Sequence, residues 1–368
     1  MDERVIGDRA ARADLLEHVR LGAVFGDGDF SLTDWTGATG LRNGVIHHTS
    51  FRGARFDGAD LSGVMLANCD FTGAVFRGAR LKNAKFMRCA FTGAQFEAAE
   101  LNGAVLLECP ASETRFANAR VTETFFLKCD LSRSVWRDAQ ADGLSLLDCT
   151  LTAIDLSGVT GQRMLMVKAD LKDAGLDGFQ CSVSAFPEVD LAGRDLRGLS
   201  LAQCNLMNAN LSGAVLAGLD LTGSFLLQCT APGADFSGVS AAGAHFSRSD
   251  LTGAKFSDAR LSSANFQDCR LGGSDFTGSD LEMAVLARAH APGARFGGAN
   301  LAYAQFPYAR LDAADISRAR LLRTDLHMAT TAGLLDLGAS GSALPTDPDK
   351  AVAEGYNPFH VRPHAMET

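Results

Sequence analysis

From Phe51 to Leu326 a large apolar residue returns at every fifth position, and the phase never breaks. Of the 56 positions in that series 45 are Leu or Phe, and Val121, Trp136, Met166 and Ile316 add four more. Two residues before each stands, most often, Ala, Cys or Ser. A period of five matches neither the 3.6 of a helix face nor the 2 of a half-buried strand. A helical bundle and a flat alternating sheet are therefore both excluded as the plan of this stretch. A short fixed period is the mark of one unit stacked many times, each burying its apolar residue against the next.

The best-formed units read Ala59-Asp60-Leu61-Ser62-Gly63, Ala209-Asn210-Leu211-Ser212-Gly213 and Ala254-Lys255-Phe256-Ser257-Asp258. The pattern Ala-(Asp/Asn)-(Leu/Phe)-x-Gly resembles the pentapeptide-repeat family. The resemblance implies an all-β solenoid, a right-handed quadrilateral β-helix. In that fold each unit makes one side and four units make a 20-residue coil. It also implies that the central Leu/Phe and the small residue two before it point inward, and that the other three point out. On that plan 51–327 stacks about 14 coils at the ordinary strand spacing of about 4.8 Å. Where the central residue shrinks, at Ala141, Gly161 and Cys181, nearby small positions have grown to Leu144, Met164 and Phe179. Volume is conserved in a narrow core, and 141–199 is expected to be locally irregular and able to bend.

The ends differ from the middle. Residues 1–50 carry 5 basic and 8 acidic side chains, residues 51–330 carry 27 and 30, and residues 331–368 carry 2 and 5. The repeat region is thus nearly neutral. Ala10 to Leu21 predicts a short amphipathic helix through Leu15, Leu16 and Val19, placed to cap the open end of the first coil, since an uncovered end exposes core and strand edges. Phe30, Trp35, Leu41 and Ile46 carry the rhythm weakly, so 1–50 is expected to be a cap with one imperfect coil. Residues 328–368 are expected to hold a cap turn at Leu334, Leu335 and Leu337 and a flexible Gly338–Lys350 segment. The last apolar patch, Tyr356 to Val361, reads as a disordered end, with a docking peptide as the sharper alternative. No apolar run of signal-peptide or membrane-span type is visible, so the expected location is cytoplasmic.

Nine cysteines suggest a metal or disulfide framework until their spacing is considered. Cys69, Cys89, Cys109, Cys129 and Cys149 lie 20 apart, and Cys229 and Cys269 share their column. These and Cys204 fall on small inward positions, and only Cys181 is central. Used this way, Cys packs as a slightly larger Ala. A reduced thiol ladder with no metal and no cofactor is the expectation.

One outer side is unusual. The residue following the central one reads Met87, Leu107, Leu127, Leu147, Val167, Pro187, Met207 and Leu227 over eight successive coils. The preceding residue on the same side adds Met65, Val105, Phe125, Leu165 and Phe225. Beside them Arg88, Glu108, Lys128, Asp148, Lys168 and Glu188 alternate in sign. An apolar stripe of about 34 Å is long for a monomer surface, and such patches are often functional. It is expected to bind a protein partner or a second copy. Cover by the chain's own end, or plain exposure, are the alternatives.

Catalysis finds no support. The eight histidines form no group with Ser and Asp, no phosphate loop is present, and His360 and His364 stand in the tail without a cysteine near them. Within the family the chain resembles accessory proteins of bacterial type VI secretion clusters, in the Arg12–Leu16 segment leading into the coils, in Phe86-Met87-Arg88-Cys89 and in the late Arg323-Thr324-Asp325-Leu326. That resemblance implies a non-enzymatic adaptor for effector or spike proteins, without direct nucleic-acid or membrane binding. The alternative is a DNA-mimicking gyrase or topoisomerase binder, which needs a strongly negative rod to match a site built for phosphates.

Overall fold

The structure, a computed structural model, describes residues 3–355. It is an all-β solenoid of about 16 coils preceded by a helix. Helix α1 (Glu3–Arg20) begins well before the predicted start at Ala10. Its Leu15 is fully buried, Leu16 and Val19 pack on the core, and Arg12 lies over the Trp35 ring at 4.3 Å. The helix thereby closes the N-terminal end.

Seven short strands and a two-residue eighth stack in parallel on one side: β1 (Val24–Gly26), β2 (Val45–His47), β3 (Met65–Ala67), β4 (Lys85–Met87), β5 (Val105–Leu107), β6 (Phe125–Leu127), β7 (Ser145–Leu147) and β9 (Leu165–Met166). We call it the strand side. The other three sides carry single bridges between coils, apart from the pair β8 (Thr160–Gln162) and β10 (Gln180–Ser182). Partners are 20 residues apart almost everywhere, as in Met65↔Lys85. The two ends are the exceptions, the first coil with Val24↔Val45 and Asp34↔Arg55 at 21 and the last with Thr324↔Ala343 at 19. The extra residue falls between Trp35 and Leu41, where Leu16 of α1 lies against Gly40. It is what weakens the rhythm in the sequence there.

The core is filled as the period requires. Phe56, Phe76, Phe96 and Phe116 form one stack, with ring centroids 4.7–5.0 Å apart. Phe236, Phe256 and Phe276 form another at 4.8 Å. The coil rise and the stacking distance of offset rings are nearly equal, so each coil can repeat the ring of the last. Both tryptophans solve their polar atom alike: Trp35 Nε1 donates to Thr33 and Trp136 Nε1 donates to Ser134, each at 2.7 Å. The Asp before a central residue also gains a reason. Its carboxylate accepts the N–H two residues on, as in Asp60 with Ser62 and Asp235 with Ser237, an Asx turn at the corner.

The thiols do more than fill space. Each column cysteine donates to the carbonyl of the central residue one coil back, at distances from 3.7 Å for Cys69 to Ile46 down to 2.9 Å for Cys269 to Phe246. Thr124 and Ser224 donate in the same way to Leu101 and Leu201. Burial pushes the Cys229 and Cys269 thiols up to about 12. All nine cysteines are free.

Past Leu326 the ladder continues rather than giving way to one cap turn. Arg310↔Thr330, Asp315↔Leu335 and Arg320↔Ser340 are in register, and β11 (Thr324–Asp325) pairs β12 (Ala343–Leu344). The apolar rhythm stops there because this last coil covers nothing further: Leu335 and Leu337 are exposed. Helix α2 (Pro348–Gly355) then turns back along the strand side. Its Glu354 carboxylate accepts from the Tyr308 hydroxyl and pairs with His327 Nε2 at 2.9 Å. The Tyr356–Val361 patch, His360 and His364 lie outside the described residues. No helix among the described residues is long and apolar enough to cross a membrane.

Candidate protein-binding face

The strand side brings together all twelve residues singled out by register: Met65, Met87, Val105, Leu107, Phe125, Leu127, Leu147, Leu165, Val167, Met207, Phe225 and Leu227. Met65, Met87 and Phe225 are exposed, at 44%, 41% and 45%. The other nine are half-buried, shoulder to shoulder with the coils above and below. Between them the central residues, such as Leu106, Phe126 and Leu146, are fully buried. The inward and outward alternation of a strand therefore divides this side cleanly. Phe225 is stacked on His245 at 5.1 Å, which extends the apolar column by one coil.

The charged column lies at the corner next to the stripe. Every residue in it, from His48 and Asn68 through Arg88, Glu108, Lys128, Asp148, Lys168 and Glu188 to Tyr308 and Met328, has φ between +49° and +62°. Glycine is the inexpensive residue at such an angle, and a side chain there costs on the order of 1 kcal/mol. The equivalent corner of another side is held by Gly53, Gly73, Gly93, Gly213, Gly233 and Gly253. The strand side uses no glycine there from His48 to Met328. Its corner keeps side chains at a conformational cost that the neighbouring side mostly avoids.

The charges of this column pair along it only in part. Lys168 and Glu188 approach to 3.8 Å, and Arg88 donates to Asn68 at 3.0 Å. Arg88, Glu108, Lys128 and Asp148 make no ion pair within the chain among the described residues. Intrachain pairing is feasible in this column, as Arg288 and Asp268 show at 2.7 Å.

The irregular zone makes a second feature, on the adjacent side. Gly161 replaces a central Leu, and a Cβ built on it would come within 2.8 Å of the Ala141 backbone. The wall has been drawn inward. Val159, Leu144, Met164 and Phe179 fill the space from other positions. Outside, this leaves an open depression of about 430 Å³ lined by polar groups including Gln140, Asp142, Thr160, Gln162 and Gln180. Cys181 lines it, and behind, its sulfur lies 4.0 Å from that of the buried Cys204. The bridges that would join Thr150 to Asp170, Gly175 to Asp195 and Ser200 to Asp220 are missing, one on each of three sides. The strand side keeps all of its rungs through Ser145, Leu165, Ala185 and Asn205. Arg194, in a small inward position, donates to the stranded carbonyls of Lys172 and Ala174 at 2.8 and 2.6 Å.

A third feature escaped the sequence reading. Met283, Tyr303 and Leu344, with Glu282 and Arg323, line an open concavity at the C-terminal corner of the strand side. Its signal was present as the large apolar residues Met283 and Tyr303 in a corner column otherwise held mostly by glycine and polar residues. Among the described residues no three His, Cys, Asp or Glu side chains gather as a metal site would require.

Two family models match. One, described as a pentapeptide repeat region, matches residues 79–156. The other, described as pentapeptide repeats, matches 54–93, 190–228 and, in overlapping pieces, 233–329. Together they cover well over half of the chain. No curated protein matches it. Among solved structures, a pentapeptide repeat protein from the Arabidopsis thaliana thylakoid lumen is 30% identical over 25% of this chain and 65% of its own, with a TM-score of 0.25. HetL, a pentapeptide repeat protein involved in heterocyst differentiation regulation in Nostoc sp. strain PCC 7120, is 23% identical over 75% of this chain and 95% of its own, at 0.20. A trypsin-treated variant of QnrB1, a plasmid-mediated fluoroquinolone resistance protein, is 23% identical over 50% and 90%, at 0.31.

Proposed function

The chain belongs to the pentapeptide-repeat family, and from its strand side we propose that it is a non-enzymatic scaffold that holds a protein on that face. The observation that carries this reading is the conjunction of two columns: an apolar stripe bordered by charged side chains held at glycine-type backbone angles. Packing of the chain itself calls for neither, since the core is complete behind them. An apolar centre with a charged rim is how protein interfaces are built.

The setting we propose is that of an adaptor for effector or spike proteins of a type VI secretion system, acting in the bacterial cytoplasm. The support is the sequence likeness in Arg12–Leu16, Phe86–Cys89 and Arg323–Leu326. A phosphate-like rod is disfavoured, because the surface mixes both signs: Arg52 pairs with Asp70, Arg137 with Asp155 and Arg295 with Asp275 at 2.6–2.8 Å.

The test is the double variant Leu127→Asp, Leu147→Asp. Both side chains point outward, so its thermal melt should match that of the parent. Immobilised parent should retain purified spike or effector protein and the variant should not. Equal retention by both would remove the strand side from the function, and an unfolded variant would show the register to be wrong.

A further inference from the structure

We propose that a second copy of this chain docks on the strand side, antiparallel, about a two-fold axis that runs along the strands between the coils of Lys128 and Asp148. The inference rests on the reading of the strand side as a docking face and names its occupant.

The argument begins with symmetry. When two rods meet face to face about an axis parallel to their strands, each column faces itself in reverse order, and the two copies make the same contacts. A column of alternating charge read backwards is its own complement only if its length is even and the axis falls between coils. The column from Arg88 to Glu188 has six members in strict alternation, and all six are exposed. With the axis between Lys128 and Asp148, Lys128 faces the second copy's Asp148, Glu108 faces its Lys168 and Arg88 faces its Glu188. All six charges then meet the opposite sign. An axis passing through a coil sets like against like. Parallel rods reverse the strand direction and set this column against the opposite corner of the side, Asn83, Gly103, Glu123, Gly143, Arg163 and Val183, which does not alternate in sign. An axis moved by one whole coil leaves two of the six charges facing uncharged residues of the same column.

The apolar columns agree with the same axis. Leu127 faces Leu147, Leu107 faces Val167 and Met87 faces Pro187, so the six central members of the following column are apolar against apolar, and only at the far end does Leu227 meet His47. In the preceding column Phe125, the bulkiest member near the axis, faces Ser145, the smallest there, and Val105 faces Leu165. Further out, Met207 meets Ala67 and Phe225 meets Val45. Large against small at the centre is what close packing of two sheets about 10 Å apart needs.

The availability of these charges also fits. Four of the six have no ion-pair partner within their own chain among the described residues, although Arg288 and Asp268 show that the column permits one. The break in the coils does not disturb the face, because the strand side keeps its rungs where the other three sides lose one. A foreign protein that uses the stripe must displace the second copy, whereas the concavity at Met283 and Tyr303 stays open in the pair.

The experiment is solution mass by light scattering on the full chain, with circular dichroism as a folding control. The parent should have twice the chain mass. Lys128→Glu alone and Asp148→Lys alone each set like charges against each other twice across the axis, and each should halve the mass. Mixed in equal amounts, the two variants should regain the doubled mass, because the introduced glutamate of one faces the introduced lysine of the other, and the native Asp148 faces the native Lys128. Charge pairing within a chain cannot produce that rescue. A monomeric parent, or a dimer indifferent to both variants, overturns the inference. If a monomeric parent still captures a foreign protein and the Leu127→Asp, Leu147→Asp variant does not, the second copy is wrong and the docking face stands. If that double variant changes neither mass nor capture, the face itself is wrong.

Discussion

The coils around Phe256 and those between 141 and 199 are built from the same unit, yet they hold together differently. The Phe256 ring lies between those of Phe236 and Phe276 at 4.8 Å, within 3° of parallel, and every side there keeps its rungs. Between 141 and 199 the aromatic contact left is Phe179 with Phe186 at 6.4 Å, a small apolar void lies beside it, and three sides each lose a bridge. A stack of identical large residues leaves nothing free to relax. A core assembled from compensating sizes meets the volume requirement and gives up registry. The irregular coils hold their remaining side, the strand side, without a missing rung.

Truncation separates the two regions most strongly. Phe256→Ala should cost about 4–5 kcal/mol in a urea melt, the upper end for a buried Phe, because its neighbours cannot collapse into the gap. Phe179→Ala should cost about 3 kcal/mol, since the void beside it shows that packing there is already loose. Equal losses would mean that the irregular coils are as tightly packed as the regular ones. The next contrast is in hydrogen bonding. Arg194→Met removes the guanidinium from the Lys172 and Ala174 carbonyls, at about 2–3 kcal/mol for two bonds to a charged donor. Amide exchange should quicken across 150–178 while Leu165 and Ala185 on the strand side stay protected. Uniform quickening would refute a hinge with one closed wall. The smallest effect compares two glycines. Gly161→Ala drives a Cβ to 2.8 Å from backbone and should cost about 2 kcal/mol by overpacking. Gly253→Ala, at φ +66° with open space around it, should cost only the conformational term of about 1 kcal/mol.

Much of this was legible in the residues. The five-residue period and the compensation of Gly161 by Met164 and Phe179 follow from volume alone, and the stripe from Met87 to Leu227 from counting by twenty. The meeting of Cys181 with Cys204 was not legible: it follows the same 23-residue step that brings Cys89 to Leu66 and Ser224 to Leu201, a step set by how one coil sits on the next and not by the period of five. The role of Arg194 was hidden too. A long cation in a small inward position looks like an error until the carbonyls that lost their rungs are seen beside it. The extra residue before Leu41 was visible only as a faltering rhythm, and its seat under Leu16 needed the helix in place.

By itself the sequence determined the coil, the direction in which each side chain points, and which residues share a column. Those follow from a fixed period and close packing, and both are local rules repeated. Tertiary structure decided that the fully stranded side is the one that carries the stripe, that its corner charges stand at positive φ largely unpaired, and that it alone stays continuous through the irregular coils. These depend on how small displacements in one coil are passed to the next. A backbone ladder transmits them over many residues, and no single unit of five records them.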